Sequence, residues 1–224
     1  MRLNLLITAA ALAATACQSP ANAAESVVAA PAAKHIAHES GGLKTAIFSG
    51  GCFWGVEAVF SHVKGVHSAV SGYDGGNAKD PSYEDVSTGT TGYRESVKVT
   101  YDPKVVRYDQ LLQVFFSVVA DPTLRNRQGP DEGTQYNAAL VPLSSEQRAV
   151  AAAYLAQMRA SGKWHAPIVT GIAPAKPFYP AEAYHQDFAE KNPNHAYIRA
   201  WDAPKVVALK RLYPSLYSPT FQTG

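Results

Sequence analysis

The sequence predicts one α+β domain in which strands and helices are mixed. Of its 224 residues, 46% are apolar and 17% are charged, a composition typical of a globular protein and not of a disordered chain or a coiled coil. Segments with strand-like alternation and segments with helical spacing follow one another without a regular βα repeat. This irregular order favours an α+β sandwich over a doubly wound parallel sheet.

Five strands are expected from alternating or short apolar runs bounded by turn residues. They lie at residues 45–48, 66–73, 95–101, 134–143 and 168–172. The alternation is clearest in the third, where Val97, Val99 and Tyr101 share one face. We expect that face to be buried.

Four helices are expected from helical spacing of apolar residues and from start and stop signals. The first opens at Cys52, directly after the Ser49-Gly50-Gly51 break, and the second covers residues 108–119 before Asp121-Pro122. The third begins after Ser144, which has capping-box spacing to Gln147. The fourth covers residues 181–191.

The ends of the chain differ in composition from the folded domain, which we place at residues 43–217. Residues 1–23 have the charged start and short apolar run of an export signal. That run, from Leu3 to Ala16, is shorter than the roughly 20 residues of a membrane-spanning helix. Residues 24–42 are Ala-rich and without periodicity, which predicts a flexible linker, and residues 218–224 form a tail.

Two cleavage sites fit the export signal. Ala21-Asn22-Ala23 would release a soluble protein near Ala24, whereas Ala14-Thr15-Ala16-Cys17 is similar to a lipobox with Ala14 in place of the usual Leu. Both interpretations predict an exported, periplasmic protein. A membrane is a partner only if Cys17 is lipidated.

Charge and cysteine content exclude several classes of protein. Twenty Lys and Arg residues against 18 Asp and Glu residues give a formal charge of +2 without a basic run, so no nucleic-acid partner is expected. Cys17 and Cys52 are the two cysteines, too few for a disulfide scaffold or a thiolate metal site. Cys52 is the one thiol of the folded domain.

Cys52 is the first candidate for chemistry. A helix N-terminus favours the thiolate through its partial positive charge and free N–H groups. A buried structural cysteine is the alternative, since free cysteines are often buried. Gly50, Gly51 and Gly55 favour the reactive interpretation, because they leave the backbone bare where a substrate approaches the sulfur.

Cys52 lies in a short motif that combines glycines, aromatic residues and a glutamate, and five further segments follow it along the chain. The six segments are Gly51-Cys52-Phe53-Trp54-Gly55-Val56-Glu57, Gly72-Tyr73-Asp74-Gly75-Gly76, Pro81-Ser82-Tyr83, Thr91-Gly92-Tyr93-Arg94-Glu95, Asn126-Arg127-Gln128-Gly129-Pro130-Asp131-Glu132-Gly133-Thr134-Gln135-Tyr136 and Tyr184-His185-Gln186. The first resembles the active-site signature of the methionine sulfoxide reductase A family, the peptide-methionine (S)-S-oxide reductases. The others resemble segments of that family in the same order, and the resemblance covers roughly residues 44–213.

The resemblance implies a two-layer, ferredoxin-like sandwich with a mixed sheet and an extended C-terminal segment, and it makes residues 43–217 the catalytic domain. It implies reduction of the S epimer of methionine sulfoxide, free or in proteins. Cys52 would be the nucleophile and Glu95 the acid. The other implied roles are hydroxyl donation by Tyr83 and Tyr136, binding of the S-methyl group by Phe53 and Trp54, and substrate orientation by Asp131 and His185.

The resemblance implies neither a metal nor an organic cofactor. Many family members carry further cysteines near the C-terminus, and residues 192–224 have none here. An external thiol, either a thioredoxin-like protein or a small thiol, is therefore expected to reduce the oxidised Cys52. Two other interpretations stay open: a hydrolase or acyltransferase using Cys52, His185 and Asp131, and a tethered binding module with an inert cysteine.

Overall fold

The computed structural model of the chain describes residues 27–224. The predicted export signal, Cys17 and both cleavage sites lie outside the described residues. Among residues 27–224, no helix combines the length and the apolar composition needed to cross a membrane.

One mixed sheet organises the described part of the chain. Its six strands follow the order β7-β6-β1-β3-β2-β8, in which β6 and β7 are parallel and the other neighbours antiparallel. A separate two-stranded ribbon pairs β4 with β5. The strands are β1 (Lys44–Ser49), β2 (Val66–Asp74), β3 (Arg94–Tyr101), β4 (Arg127–Gln128), β5 (Asp131–Glu132), β6 (Ala139–Val141), β7 (Gly171–Ile172) and β8 (Tyr179–Pro180).

The helices pack on this sheet and bury a core rich in aromatic side chains. Phe48 of β1 stacks on Phe60 with ring centroids 4.7 Å apart and lies 5.7 Å from the ring of Phe115. The helices are α1 (Phe53–Ser61), α2 (Tyr83–Ser87), α3 (Tyr108–Val114), α4 (Ser145–Ala160), α5 (Phe188–Lys191) and α6 (Ala203–Leu212). The predicted α+β class is confirmed.

The first three strands and the helix that opens at Cys52 match their predictions. In β3, Val97, Val99 and Tyr101 are fully buried, as their alternation predicts. Ser144 caps α4 by accepting a hydrogen bond from the Gln147 amide. The Gln147 side chain donates instead to the carbonyl of Thr45, so it ties α4 to β1.

Four predicted elements need correction. The strand over residues 168–172 shrinks to β7, because only Gly171–Ile172 pairs with β6. The helix over residues 108–119 keeps α-helical geometry only to Val114 and then widens into a π turn at Phe115–Val119. The strand over residues 134–143 shrinks to β6, because Gly133 turns the chain at a φ of 143° into a 3-10 turn at Thr134–Tyr136.

The helix over residues 181–191 also fails for most of its length. The Ala181 amide donates to the Ser71 carbonyl, and Asp187 has a left-handed φ of 55°, so the helix begins only at Phe188. Sequence reasoning missed α6, which starts with Pro204 in its first turn. The resemblance implies an extended C-terminal segment over these residues.

The prediction of a flexible linker over residues 24–42 is wrong for residues 27–42. This segment is a strap that lies against the helices α3 and α4. The Ala30 amide donates to Ser117 Oγ at 3.1 Å, and the Ala37 amide donates to Asp109 Oδ1 at 2.9 Å. Ala30 and Ala37 are buried in the core. Small side chains let the strap backbone approach the helices closely, which the Ala-rich composition concealed.

The tail at residues 218–224 is likewise held against the domain. The Ser218 amide donates to the His62 carbonyl at 2.7 Å, and the Gln222 amide donates to the Ser61 carbonyl at 3.0 Å. The tail therefore follows the end of α1 and returns toward the sheet.

Candidate active site

The candidate site begins where β1 turns into α1. Cys52 is partly buried and occupies the N-cap position of α1. Gly51 has a φ of 94°, and a Cβ atom there would lie 2.5 Å from Gln128 Cβ. This turn therefore requires glycine, both for its backbone conformation and for its packing.

Sheet register brings Glu95 to the same place. Phe48 of β1 pairs with Val97 of β3, so the end of β1 lies beside the start of β3. Glu95 is 2% exposed, and its Oε2 accepts a hydrogen bond from the Phe53 amide at 2.9 Å. The carboxyl group thus faces the first turn of α1, one residue from Cys52.

Burial raises the pKa of Glu95 to about 8, although the Phe53 hydrogen bond lowers it. The nearby charges of Asp131 and Asp202 raise it further. At neutral pH most of Glu95 is therefore a neutral acid. This protonation state suits a general acid.

The Cys52 thiol does not behave as its helical position alone suggests. Burial raises its pKa well above the ordinary value, and the carboxyl groups of Glu95, Asp202 and Asp131 act in the same direction. The Trp54 amide lowers the pKa, as a helix N-terminus should, but burial outweighs it. The expected resting thiolate is therefore wrong: the resting group is a thiol.

Two tyrosines complete the polar side of the site. Tyr83 opens α2, and its amide donates to Glu182 Oε1 at 2.8 Å. Tyr136 ends the 3-10 turn after Gly133. Burial, followed by the charge of Glu95, raises the pKa of both phenols, and the charge of Cys52 contributes to each. Both hydroxyls therefore stay protonated and lie close enough to Glu95 and Cys52 for their charges to interact.

Aromatic rings form the apolar side. Phe53 is fully buried and lies 5.0 Å from the His185 ring, while Tyr83 lies 4.4 Å from it. Trp54 is partly exposed and stacks on Phe188 at 3.8 Å. These rings form an apolar wall that starts at the residue after Cys52.

His185 is held in one tautomer. Its Nδ1 accepts a hydrogen bond from Trp54 Nε1 at 3.1 Å, so the ring proton is on Nε2. Burial lowers the pKa of His185, which keeps the ring neutral. The buried Nε2 has no hydrogen-bond partner among the described residues, so its N–H is an unsatisfied donor.

Asp131 lies in β5 and accepts a hydrogen bond from the Tyr197 hydroxyl. Burial raises its pKa, while Tyr197 and Lys205 lower it. The charge of Asp131 raises the pKa values of Cys52, Glu95 and Tyr136, so all three groups lie near it. The structure thus brings together all eight residues that the sequence singled out, from five separate segments.

Comparison with known proteins identifies the family. The family model described as peptide methionine sulfoxide reductase matches residues 44–214. The chain belongs to this family. The match spans the whole sheet and all six helices, so every residue of the site lies within it.

Relatives and solved structures agree with this membership in the reductase family. Peptide methionine sulfoxide reductase MsrA 2 of Mesorhizobium japonicum is 55% identical over 177 residues, which cover 79% of this chain and 91% of that protein. The reductase MsrA of Deinococcus radiodurans is 46% identical over 168 residues, covering 75% and 81%. The reduced form of Mxr1 from Saccharomyces cerevisiae has a TM-score of 0.62 at 34% identity, covering 72% of this chain and 92% of that one.

Sequence reasoning missed two groups in this reductase site. Tyr197 holds Asp131, and its pKa is raised by burial and then by the charge of Cys52. Asp202 is fully buried against α1: a Cβ atom on Gly55 would lie 2.2 Å from its Oδ1. Both residues follow α5, in the stretch where no helix was predicted. The Asp202-Ala203-Pro204 start signal was the one available clue.

Proposed function

We propose that this chain reduces the S epimer of methionine sulfoxide, free or in proteins, to methionine by attack of Cys52 on the sulfoxide sulfur. One observation carries the mechanism: a neutral, buried Glu95 faces the helix turn that holds Cys52. A sulfoxide sulfur becomes electrophilic only when its oxygen receives a proton or strong hydrogen bonds. The site supplies both an acid and two phenol donors.

The proton transfers balance within the pair of Cys52 and Glu95. As the Cys52 Sγ–sulfur bond forms, the Glu95 proton moves to the sulfoxide oxygen and the thiol proton returns to Glu95. The hydroxyl group then transfers to Sγ while the S–S bond breaks, leaving methionine and Cys52 sulfenic acid. The sulfoxide sulfur gains two electrons and Cys52 loses two. Tyr83 and Tyr136 stabilise the oxygen as its charge changes.

In this proposal the apolar wall and two polar side chains, His185 and Asp131, orient the substrate. Phe53 and Trp54 bind the S-methyl group, where each sulfur–aromatic or apolar contact contributes about 0.3–1.5 kcal/mol. His185 Nε2 donates to a substrate carbonyl oxygen, and Asp131 accepts from a substrate amide. This division of donor and acceptor suits a peptide backbone as well as a free amino acid.

The hydrolase alternative lacks its chain of hydrogen bonds. A Cys–His–Asp triad needs the histidine between the other two groups. Here His185 Nδ1 is occupied by Trp54 and Asp131 by Tyr197. The charges that affect the Cys52 pKa come from carboxyl groups and not from His185.

Recycling requires a thiol from outside the catalytic domain, because Cys52 is the single cysteine of residues 27–224. A thioredoxin-like protein or a small thiol would attack the sulfenic acid and release water, and a second thiol would then restore Cys52. We further propose that the protein acts in the periplasm, with a soluble mature form or one anchored through a lipidated Cys17. The leader composition supports export.

The domain architecture that we propose is the ferredoxin-like sandwich. The strand order β6-β1-β3-β2, with α1 and α3 as crossovers, supports it. In this arrangement the turn after β1 and the start of β3 lie side by side, which is where Cys52 and Glu95 meet.

The function is tested with a peptide containing each sulfoxide epimer, in the presence of a dithiol reductant. We expect methionine from the S epimer alone and no turnover by Cys52→Ser. Activated esters serve as the comparison substrate. Ester hydrolysis that depends on Cys52, without sulfoxide reduction, would overturn the proposal in favour of the hydrolase.

A further inference from the structure

A buried carboxyl group that the reaction does not use lies behind the substrate pocket. Glu57 is on α1, one helical turn after Phe53, and its side chain is fully buried. Its Oε2 accepts a hydrogen bond from the Asp187 amide at 3.0 Å. Buried carboxyl groups are uncommon because removing them from water is costly, so this one needs a reason.

The Asp187 amide belongs to the turn that carries His185. This turn lies between β8 and α5 and is tied down at three successive residues. His185 accepts from Trp54 Nε1. The side chain of Gln186 accepts a hydrogen bond from the Ser71 N–H in β2 at 3.0 Å and donates one to the Ser71 carbonyl at 2.9 Å. Asp187 donates its own N–H to Glu57.

We propose that Glu57 is a positioning residue for the substrate pocket, holding through the Asp187 amide the turn that presents His185 to Trp54. The proposal rests on the proposed function, because it assigns a purpose to that same pocket. Asp187 has a left-handed φ of 55°, a conformation that costs a non-glycine residue energy and persists only where surrounding contacts maintain it. The Glu57 hydrogen bond is such a contact.

The electrostatics favour a neutral Glu57. Burial and then the charge of Asp187 raise the pKa of Glu57 to about 8, while the hydrogen-bonding groups of Asp187 and Ser71 lower it. Asp187 is the charged group that faces Glu57, and its carboxylate is paired with Lys191 at 3.2 Å and bonded by the Gly224 amide. Ionisation of Glu57 would therefore place two carboxylates together and loosen the turn.

Three variants in a Cys52→Ser background separate positioning from general stability. Glu57→Met keeps the length of the side chain but cannot accept from Asp187. Glu57→Gln keeps an acceptor oxygen and cannot ionise. Glu190→Gln, on the exposed side of α5, is the matched control. Binding of a peptide containing methionine S-sulfoxide is measured by tryptophan fluorescence, and amide exchange at Asp187 is measured in the free proteins.

At pH 7 we expect Glu57→Met to bind the peptide about 10-fold more weakly, the effect of one lost buried hydrogen bond, and to exchange the Asp187 amide faster. Glu57→Gln and Glu190→Gln should bind within about 2-fold of the Cys52→Ser parent. Between pH 7 and 9.5 the parent should lose about 3-fold more affinity than Glu57→Gln, because Glu95 titrates in both and Glu57 only in the parent.

Equal affinity of Glu57→Met and the parent, or equal exchange of the Asp187 amide in the two, would overturn the positioning role. If Glu57→Met does not fold, Glu57→Ala, which also removes the acceptor, is measured in the same two assays against the same control. A parent that binds neither epimer would overturn the proposed function itself, and the positioning role with it.

Discussion

Replacing Glu95 by Gln tests the proton donor without disturbing its support of α1. The Gln side chain keeps an oxygen that can accept the Phe53 amide, so the helix turn that carries Cys52 should stay in place. What it loses is the transferable proton. We therefore expect the chemical step to slow while substrate affinity stays close to that of the wild type.

The size of the effect follows from the protonation state. With a pKa of about 8, roughly 90% of Glu95 is acid at pH 7 and roughly 10% at pH 9. Loss of one general acid slows a reaction by about 10²–10⁴-fold. The Glu95 carboxyl pKa is raised on folding, so the active acid is present below pH 8 and is lost as the pH rises through that value. The wild-type rate should thus fall about 10-fold between pH 7 and 9.

The assay is a single turnover without reductant, in which methionine formation is followed after mixing enzyme with excess sulfoxide peptide. Glu132→Gln is the matched control, because this exposed carboxylate is close in sequence to Asp131 but forms only a long ion pair with Arg127, at 3.8 Å. An unchanged rate for Glu95→Gln would refute the acid role. A Glu95→Gln rate that kept the wild-type decline above pH 8 would assign that decline to another group.

Three further outcomes are expected. Gly51→Ala should lower both Tm and turnover, because it adds a Cβ atom 2.5 Å from Gln128. Gly162→Ala, at a φ of 66° with open space around it, should cost only about 1–2 kcal/mol of stability and no activity. Equal effects of the two variants in thermal and kinetic assays would contradict this expectation. Ala37 is 4% exposed, so Ala37→Asp should lower the free energy of unfolding by about 2–4 kcal/mol. Ile36 is 40% exposed, and Ile36→Asp should lower it by less than about 1 kcal/mol. Similar denaturation midpoints for the two variants would show that the strap does not support the domain. One equivalent of sulfoxide without reductant should leave Cys52 as a dimedone-reactive sulfenic acid with one methionine formed, and a mass loss of two hydrogens within one mature chain would disprove the single-thiol scheme.

The sequence was most informative where a residue's role depends on local geometry. Cys52 could be placed at a helix N-terminus because Gly50 and Gly51 interrupt an apolar strand, and the buried face of β3 followed from simple alternation. These signals are short in range and depend on backbone chemistry. The resemblance to the family then supplied the roles of Glu95 and the tyrosines, which the strand and helix patterns alone do not indicate.

What the sequence could not show depends on contacts between distant segments. The strap has the composition of a linker, and only its packing against α3 and α4 reveals that Ala30 and Ala37 are core residues. Asp202 and Tyr197 lie about 150 positions from Cys52 in the chain, yet the charge of Asp202 raises the pKa of Cys52 and the charge of Cys52 raises the pKa of Tyr197. No periodicity encodes such proximity.

The thiol is the instructive case, because a correct local statement led to a wrong conclusion. A helix N-terminus does lower the Cys52 pKa, and the Trp54 amide shows that effect. Burial acts in the opposite direction and is larger, because a charge in a dry pocket is costly, and the neighbouring carboxyl groups add to it. The pair therefore retains its protons until substrate arrives. In the proposed mechanism, attack on sulfur and protonation of oxygen become one exchange: the thiol can lose its proton because Glu95 has just given its own to the sulfoxide. Coupling of this kind reconciles the low resting reactivity of Cys52 with the mechanism that we propose.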